Sequence, residues 1–192
     1  MQYHLRNLVL SSIFVILGTD CVEAQSILKP PFGIRWGDSP EKLVHWASKQ
    51  SLDVVITLPG EQPEIKILRI QNKKGILPDT QATSIESRFI SGRLFELSIH
   101  YSDLKNQSED MEPRFNLLKK QIESEWGALS INRQERNKED GYINRTISYH
   151  REHTKGLFIV LVLTEIEDDL RKRKESRFSL IYRNENLKDS VN

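Results

Sequence analysis

The sequence predicts an α+β fold, a two-layer sandwich in which one antiparallel sheet carries two helices on one face. Three observations predict it. Two segments place apolar residues at helical spacing, several others alternate apolar and polar residues with period two, and the elements run helix, four strands, helix, four strands. That order is open to reading as tandem α-β-β-β-β units, with halves at 32–102 and 108–187 of a single domain spanning 32–187.

The first 24 residues stand apart. Met1 to Asn7 carries Arg6, Leu8 to Leu17 is uncharged and mostly apolar, Gly18 breaks the run, and Val22-Glu23-Ala24 precedes Gln25. This is the order of a cleavable signal peptide, so the protein is expected to be exported, periplasmic or secreted. Ten helical residues rise only about 15 Å, half of what a membrane span needs, so no stable insertion is expected after cleavage. Cys21 is poorly placed for lipidation, because Gly18-Thr19-Asp20 precedes it instead of a lipobox. It is the only cysteine, so cleavage after Ala24 leaves a fold that rests on packing without disulfides.

Gln25 to Pro31 reads as a stiff extended lead-in, since Pro30 and Pro31 fix φ. Phe32 to Trp36 follows as a short strand, and Gly37-Asp38 turns the chain. Ser39-Pro40-Glu41 starts a helix with a hydroxyl N-cap, proline at N1 and an acid near the positive helix end. Its apolar stripe is Leu43, Val44, Trp46 and Ala47. Val54, Ile56 and Leu58 alternate in the first strand of the sheet. A second strand carries Ile65, Ile67, Leu68 and Ile70, and Gln71 to Thr80 is a polar loop. Ser84 to Ile90 and Arg93 to Tyr101 form a hairpin around Ser91-Gly92, with Phe95, Leu97, Ile99 and Tyr101 on one side and Glu96, Ser98 and His100 on the other.

The second helix runs from Met111 to Trp126, with Phe115, Leu118 and Ile122 in its stripe and Gly127 as its stop. Ser130 to Arg136 is a faint strand signal. Tyr142 to Arg151 alternates. Leu157 to Leu163 is apolar at every position, which predicts a central strand covered on both sides. Arg177 to Arg183 closes the set, and 188–192 is a tail.

The segment Phe32-Gly33-Ile34-x-Trp36-Gly37-x-Ser39-x-Glu41 resembles the start of many small exported bacterial proteins of unknown function. Phe89-x-x-Gly92-Arg93-Leu94 is similar to a hairpin found in them. The element order resembles the two-layer modules of BamE-type lipoproteins and of β-lactamase inhibitor protein. Those families bind other proteins and catalyse nothing, so the resemblance implies a protein-binding module whose partner is another envelope or extracellular protein.

Composition agrees with a soluble globule, with 38% hydrophobic and 29% charged residues. Without Arg6, Asp20 and Glu23 the mature chain holds 27 basic and 25 acidic groups, a balance that gives no footprint for nucleic acid. Catalytic candidates are few. His100 on the polar side of its strand has Ser98 and Glu96 beside it for acid–base work. Glu165 and Glu167 share one strand face at the separation of a glycosidase pair, although cross-strand pairing in a charged hairpin end explains them better. His150 and His153 are the candidate metal ligands, but three-residue spacing sends them to opposite faces of a strand, with His153 expected in the turn before Gly156. Arg171 to Lys174 reads as a solvated loop. Trp36 and Trp46 are either core anchors or binding-groove residues. No cofactor is implied. A non-enzymatic module is the leading expectation; a small hydrolase or metal-dependent enzyme, or a carrier of a small ligand or lipid, is the alternative.

Overall fold

The computed structural model describes residues 27–59, 64–72, 77–79, 81–102, 111–171 and 173–189. The predicted signal peptide and Cys21 lie outside these residues, as do Gly60 and parts of the 71–80 loop.

The chain runs α1 (Pro40–Lys49), β1 (Asp53–Thr57), β2 (Ile65–Gln71), β3 (Ser84–Ile90), β4 (Arg93–Ser102), α2 (Glu112–Trp126), β5 (Ser130–Glu139), β6 (Tyr142–Thr154), β7 (Leu157–Asp168), β8 (Arg173–Asn184) and α3 (Asn186–Asp189). All eight strands join one antiparallel sheet in the order β1-β2-β3-β4-β8-β7-β6-β5. Two four-stranded meanders therefore meet last strand to last strand, at β4 and β8.

The predicted two-layer α+β sandwich is overturned. Strands hold just over half of the described residues and helices about one-fifth, so the fold is β-dominated. The reason is dimensional. Eight strands span about 34 Å at 4.8 Å spacing, whereas α1 and α2 rise only about 15 and 22 Å. They are covers over part of one face and cannot form a layer.

The core lies between that face and the helices. One row of cross-strand neighbours, Ile70, Ile85, Ile99, Leu180, Leu161 and Tyr149, crosses six strands and ties the meanders into a single apolar surface. Leu43 and Ala47 of α1 and Phe115 and Ile122 of α2 belong to the same cluster. Phe115 meets the rings of Tyr149 and Phe178, each with centroids 6.0 Å away. Tyr101 stacks on Phe178 at 4.5 Å, and its hydroxyl donates to Asp79 Oδ2 at 2.6 Å, holding the 77–79 segment to β4. Burial first, then that bond, raises the Tyr101 phenol well above its ordinary range.

Phe32 to Trp36 is not a strand but a pair of turns. Phe32 and Gly33 both have positive φ, at 65° and 75°, which no strand accommodates. The turn at Phe32-Gly33 is closed by Ile34 N–H to Pro31 C=O at 3.3 Å, and the chain just beyond Trp36 is tied to β4 by Gly37 N–H to Leu94 C=O and Leu94 N–H to Asp38 C=O, each 3.0 Å. The lead-in is likewise part of the fold: Leu28 is fully buried, and its carbonyl accepts the Trp36 Nε1–H at 2.7 Å. At the other end, α3 takes up residues expected to start a tail.

The β3–β4 hairpin forms where the alternation predicts it. Ser91 and Gly92 both have positive φ, the requirement of a two-residue type I′ turn. β7 differs from expectation. Leu157, Ile159, Leu161 and Leu163 are buried, but Phe158, Val160 and Val162 on its other side are only half-buried, because among the described residues no helix longer than α3 lies on that face. β6 and β8 are also longer than the alternation indicates. They extend through His153 and back to Arg173, taking Arg173 and Lys174 out of the expected loop.

Candidate functional site

Three features could carry a function: the open face of the sheet, its two edges, and a cleft beyond the N-terminus of α2.

The open face is organised by buried carboxylates. Glu86 accepts from Arg69 Nη2 at 2.5 Å and from Arg88 Nε at 3.2 Å. Glu96 pairs with Arg88 at 3.5 Å and with Arg183 Nε at 2.6 Å. The result is a ladder, Arg69–Glu86–Arg88–Glu96–Arg183, across β2, β3, β4 and β8. His100 lies one row away, its Nδ1 2.8 Å from Ser179 Oγ. Glu96 is thus engaged by arginines, and the predicted acid–base group reduces to a His–Ser contact on a flat sheet surface.

The ladder and His100 set a pH response. Burial lowers the His100 pKa below its ordinary 6.5; Glu86 opposes this, while Arg69, Arg177 and Arg88 add to it. For Glu86, burial raises the pKa, but hydrogen bonds from Arg69 and Arg88 outweigh it and bring the carboxyl below 4.5. In both cases the unfolded chain takes up the proton at higher pH than the folded one. Stability is therefore fully present above about 6.5, falls through His100 as pH drops below that value, and falls again through Glu86 below about 4.5. Urea midpoints measured from neutral to acidic pH should show both declines, and His100→Gln should flatten the first alone. An unchanged first decline in that variant would refute the assignment.

His150 and His153 are not brought together. His150 lies between Ser130 and Val160 on the open face. His153 sits at a bulge in β6, not in a turn, and meets Trp126 edge-on with ring centroids 5.0 Å apart. Nor does His150 meet Glu165, which points to the helix-bearing face. Among the described residues no group of three His, Cys, Asp or Glu side chains is placed to hold a metal ion. Trp36 and Trp46 both pack against the core, Trp46 stacking on Phe32 at 6.2 Å.

Glu165 and Glu167 do share a face, and they line a cleft of about 400 Å³ together with Arg136, Ile143, Arg145 and Lys174. Glu165 is 4% exposed. It accepts from Arg145 Nη1 at 2.7 Å and pairs with Lys174 Nζ at 2.6 Å. Arg145 also reaches Glu112, at the start of α2, at 3.4 Å. Sequence reasoning singled out the two glutamates and missed the cations. The signal was present in the alternation: Arg145 has the parity of Ile147 and Tyr149, and Lys174 that of Phe178.

The edges of the sheet differ in chemistry. At one end, β5 carries Arg133, Glu135, Arg136, Lys138 and Glu139, with ion pairs from Arg133 to Glu135 and from Lys138 to Asp169. At the other, β1 leaves Val55 50% and Ile56 58% exposed, and Leu58, just beyond it, 64%. Ile56 and Leu58 alternate with Val54 in the sequence, but of the three Val54 packs against the core. Ile56 and Leu58 lie outside it, on and just beyond a strand that has one neighbour among the described residues.

Comparison with protein-family profiles, curated proteins and solved structures finds no match.

Proposed function

We propose that this chain is an exported, non-enzymatic protein-binding module that takes up an extended segment of an envelope or extracellular protein along β1. The asymmetry of the two sheet edges carries this reading. An exposed edge strand is a template for another strand, and proteins ordinarily protect it with charge. β5 has that protection. β1 has Val55, Ile56 and Leu58 instead, with β2 on its inner side and, among the described residues, no strand on its outer one. Strand addition supplies main-chain hydrogen bonds for affinity, and alternate side chains for selectivity. Val55 lies opposite Arg69 and Ile56 opposite Leu68, so an incoming strand meets an apolar side chain on both faces of the edge. The apolar leader and the resemblance of Phe32 to Glu41 to exported proteins support the location.

A photo-crosslinking side chain placed at position 56, and separately at 134 on β5, tests this in the native host. A discrete adduct from 56 and none from 134 is expected, on a protein whose first residue is Gln25. Ile56→Lys should abolish complex formation while moving stability by no more than about 0.5 kcal/mol, because the position is exposed. Equal adducts from both edges, or a protein that retains Met1, would refute the reading.

A further inference from the structure

The cleft on the helix-bearing face is separate from the β1 edge, lying across the whole width of the sheet from it. Its walls contain a contradiction. In the β5–β6 register Arg136 is directly opposite Arg145. Directly opposed like charges destabilise a sheet, since their Cβ atoms stand only about 5 Å apart. Arg145 is balanced by Glu112 and Glu165. Arg136 has no carboxylate partner among the described residues, and it faces the same cleft.

The floor is unusual as well. Glu165 continues the row Ile159, Leu161 and Leu163 on β7, where an aliphatic side chain would extend the core. A buried carboxylate costs desolvation that its ion pairs at best offset. What it does supply is position: from below, it fixes the Arg145 guanidinium and the Lys174 ammonium at the cleft wall. Three cationic groups from β5, β6 and β8 thus surround one concavity, two of them anchored. The cleft volume is within the range of small-molecule sites.

We propose that this cleft binds a small ligand through an oxyanion, a phosphate or carboxylate group seated between Arg136 and Arg145 with Lys174 alongside. The oxyanion accepts N–H donors from the opposed guanidinium groups and removes their repulsion; paired planar forks suit such a group better than ammonium ions alone. Glu167 and Ile143 form the remaining wall and limit the size of what the oxyanion is attached to.

The test is calorimetric titration of the mature protein with inorganic phosphate, and separately with acetate, at about 0.15 M ionic strength so that unspecific surface charge is screened. Saturable binding with a Kd near or below about 1 mM is expected for one of the two, and which one saturates identifies the group. Arg136→Ala should weaken it about tenfold, and Arg136→Lys should weaken it less. Because Arg136 is exposed on an edge strand and opposes a like charge, its replacement should not lower the unfolding midpoint. Ile56→Lys should leave phosphate or acetate binding intact, so this result and that for the β1 edge stand or fall separately. Linear, non-saturating heats with both anions, or equal affinity in Arg136→Ala, would overturn the proposal.

Discussion

Replacing Phe89 by alanine should lower the unfolding free energy by about 3–5 kcal/mol, the range for truncating a fully buried aromatic side chain. Phe89 has no solvent exposure and belongs to the main core cluster. It also follows a register shift in β3, after which it pairs with Leu94. Leu94 in turn holds Gly37 and Asp38 through its backbone. A void at Phe89 is therefore bounded by hydrogen-bonded backbone on two sides and collapses poorly, which places the loss in the upper part of the range. Urea unfolding should show a lower midpoint with an unchanged slope, while Ile166→Ala, at a partly exposed site, should change little. A loss below about 1 kcal/mol for Phe89→Ala would mean that the bulge region is not part of the cooperative core.

The second large effect is expected at Glu165. Breaking a buried ion pair by removing one partner costs about 3–5 kcal/mol when the survivor stays buried. Here the survivors, Arg145 and Lys174, have side chains 35% and 41% exposed. Water screens much of their charge, so Glu165→Ala should cost about 2 kcal/mol, packing loss included. The reverse truncation, Arg145→Ala, leaves the carboxylate under the floor with Lys174 as its remaining close cation. A double-mutant cycle between positions 165 and 145 should show coupling; additive losses would show that the pair acts as two solvated charges.

How much of this was legible beforehand depended on the range of the information. The hairpin was legible because Ser91-Gly92 encodes a local backbone conformation and the residues after it alternate strictly. The helices were legible from caps and stripes: Pro40 opens α1, and Gly127, with φ of 89°, ends α2. The Phe32–Trp36 turns were not legible, because Phe32 takes a left-handed φ that a bulky side chain rarely adopts, and the chain after it is held by bonds of Gly37 and Asp38 to distant Leu94. The even-numbered side of β7 was misjudged for a related reason. Phe158, Val160 and Val162 announce an apolar strand, but nothing local states whether a layer exists to cover them.

The candidate site divides in the same way. Strand parity put Glu165 and Glu167 on one face and sent His150 and His153 apart. Parity does not say which strand lies next to which. Arg136, Arg145, Glu165 and Lys174 come from four strands, and only the order β8-β7-β6-β5 makes them neighbours. The contrast between the two sheet edges is equally a matter of order, since a strand is an edge only when no other strand lies beyond it.

By itself, then, the sequence determined the kind and order of α1, α2 and the eight strands of the sheet, because caps, turns and hydrophobic period act within a few residues. The tertiary structure decided that eight strands form one sheet which its helices are too short to cover. It also decided which charges share a cleft and which apolar strand is left at the rim. Those outcomes depend on contacts between distant segments, where side-chain packing and strand pairing, not local propensity, set the free energy.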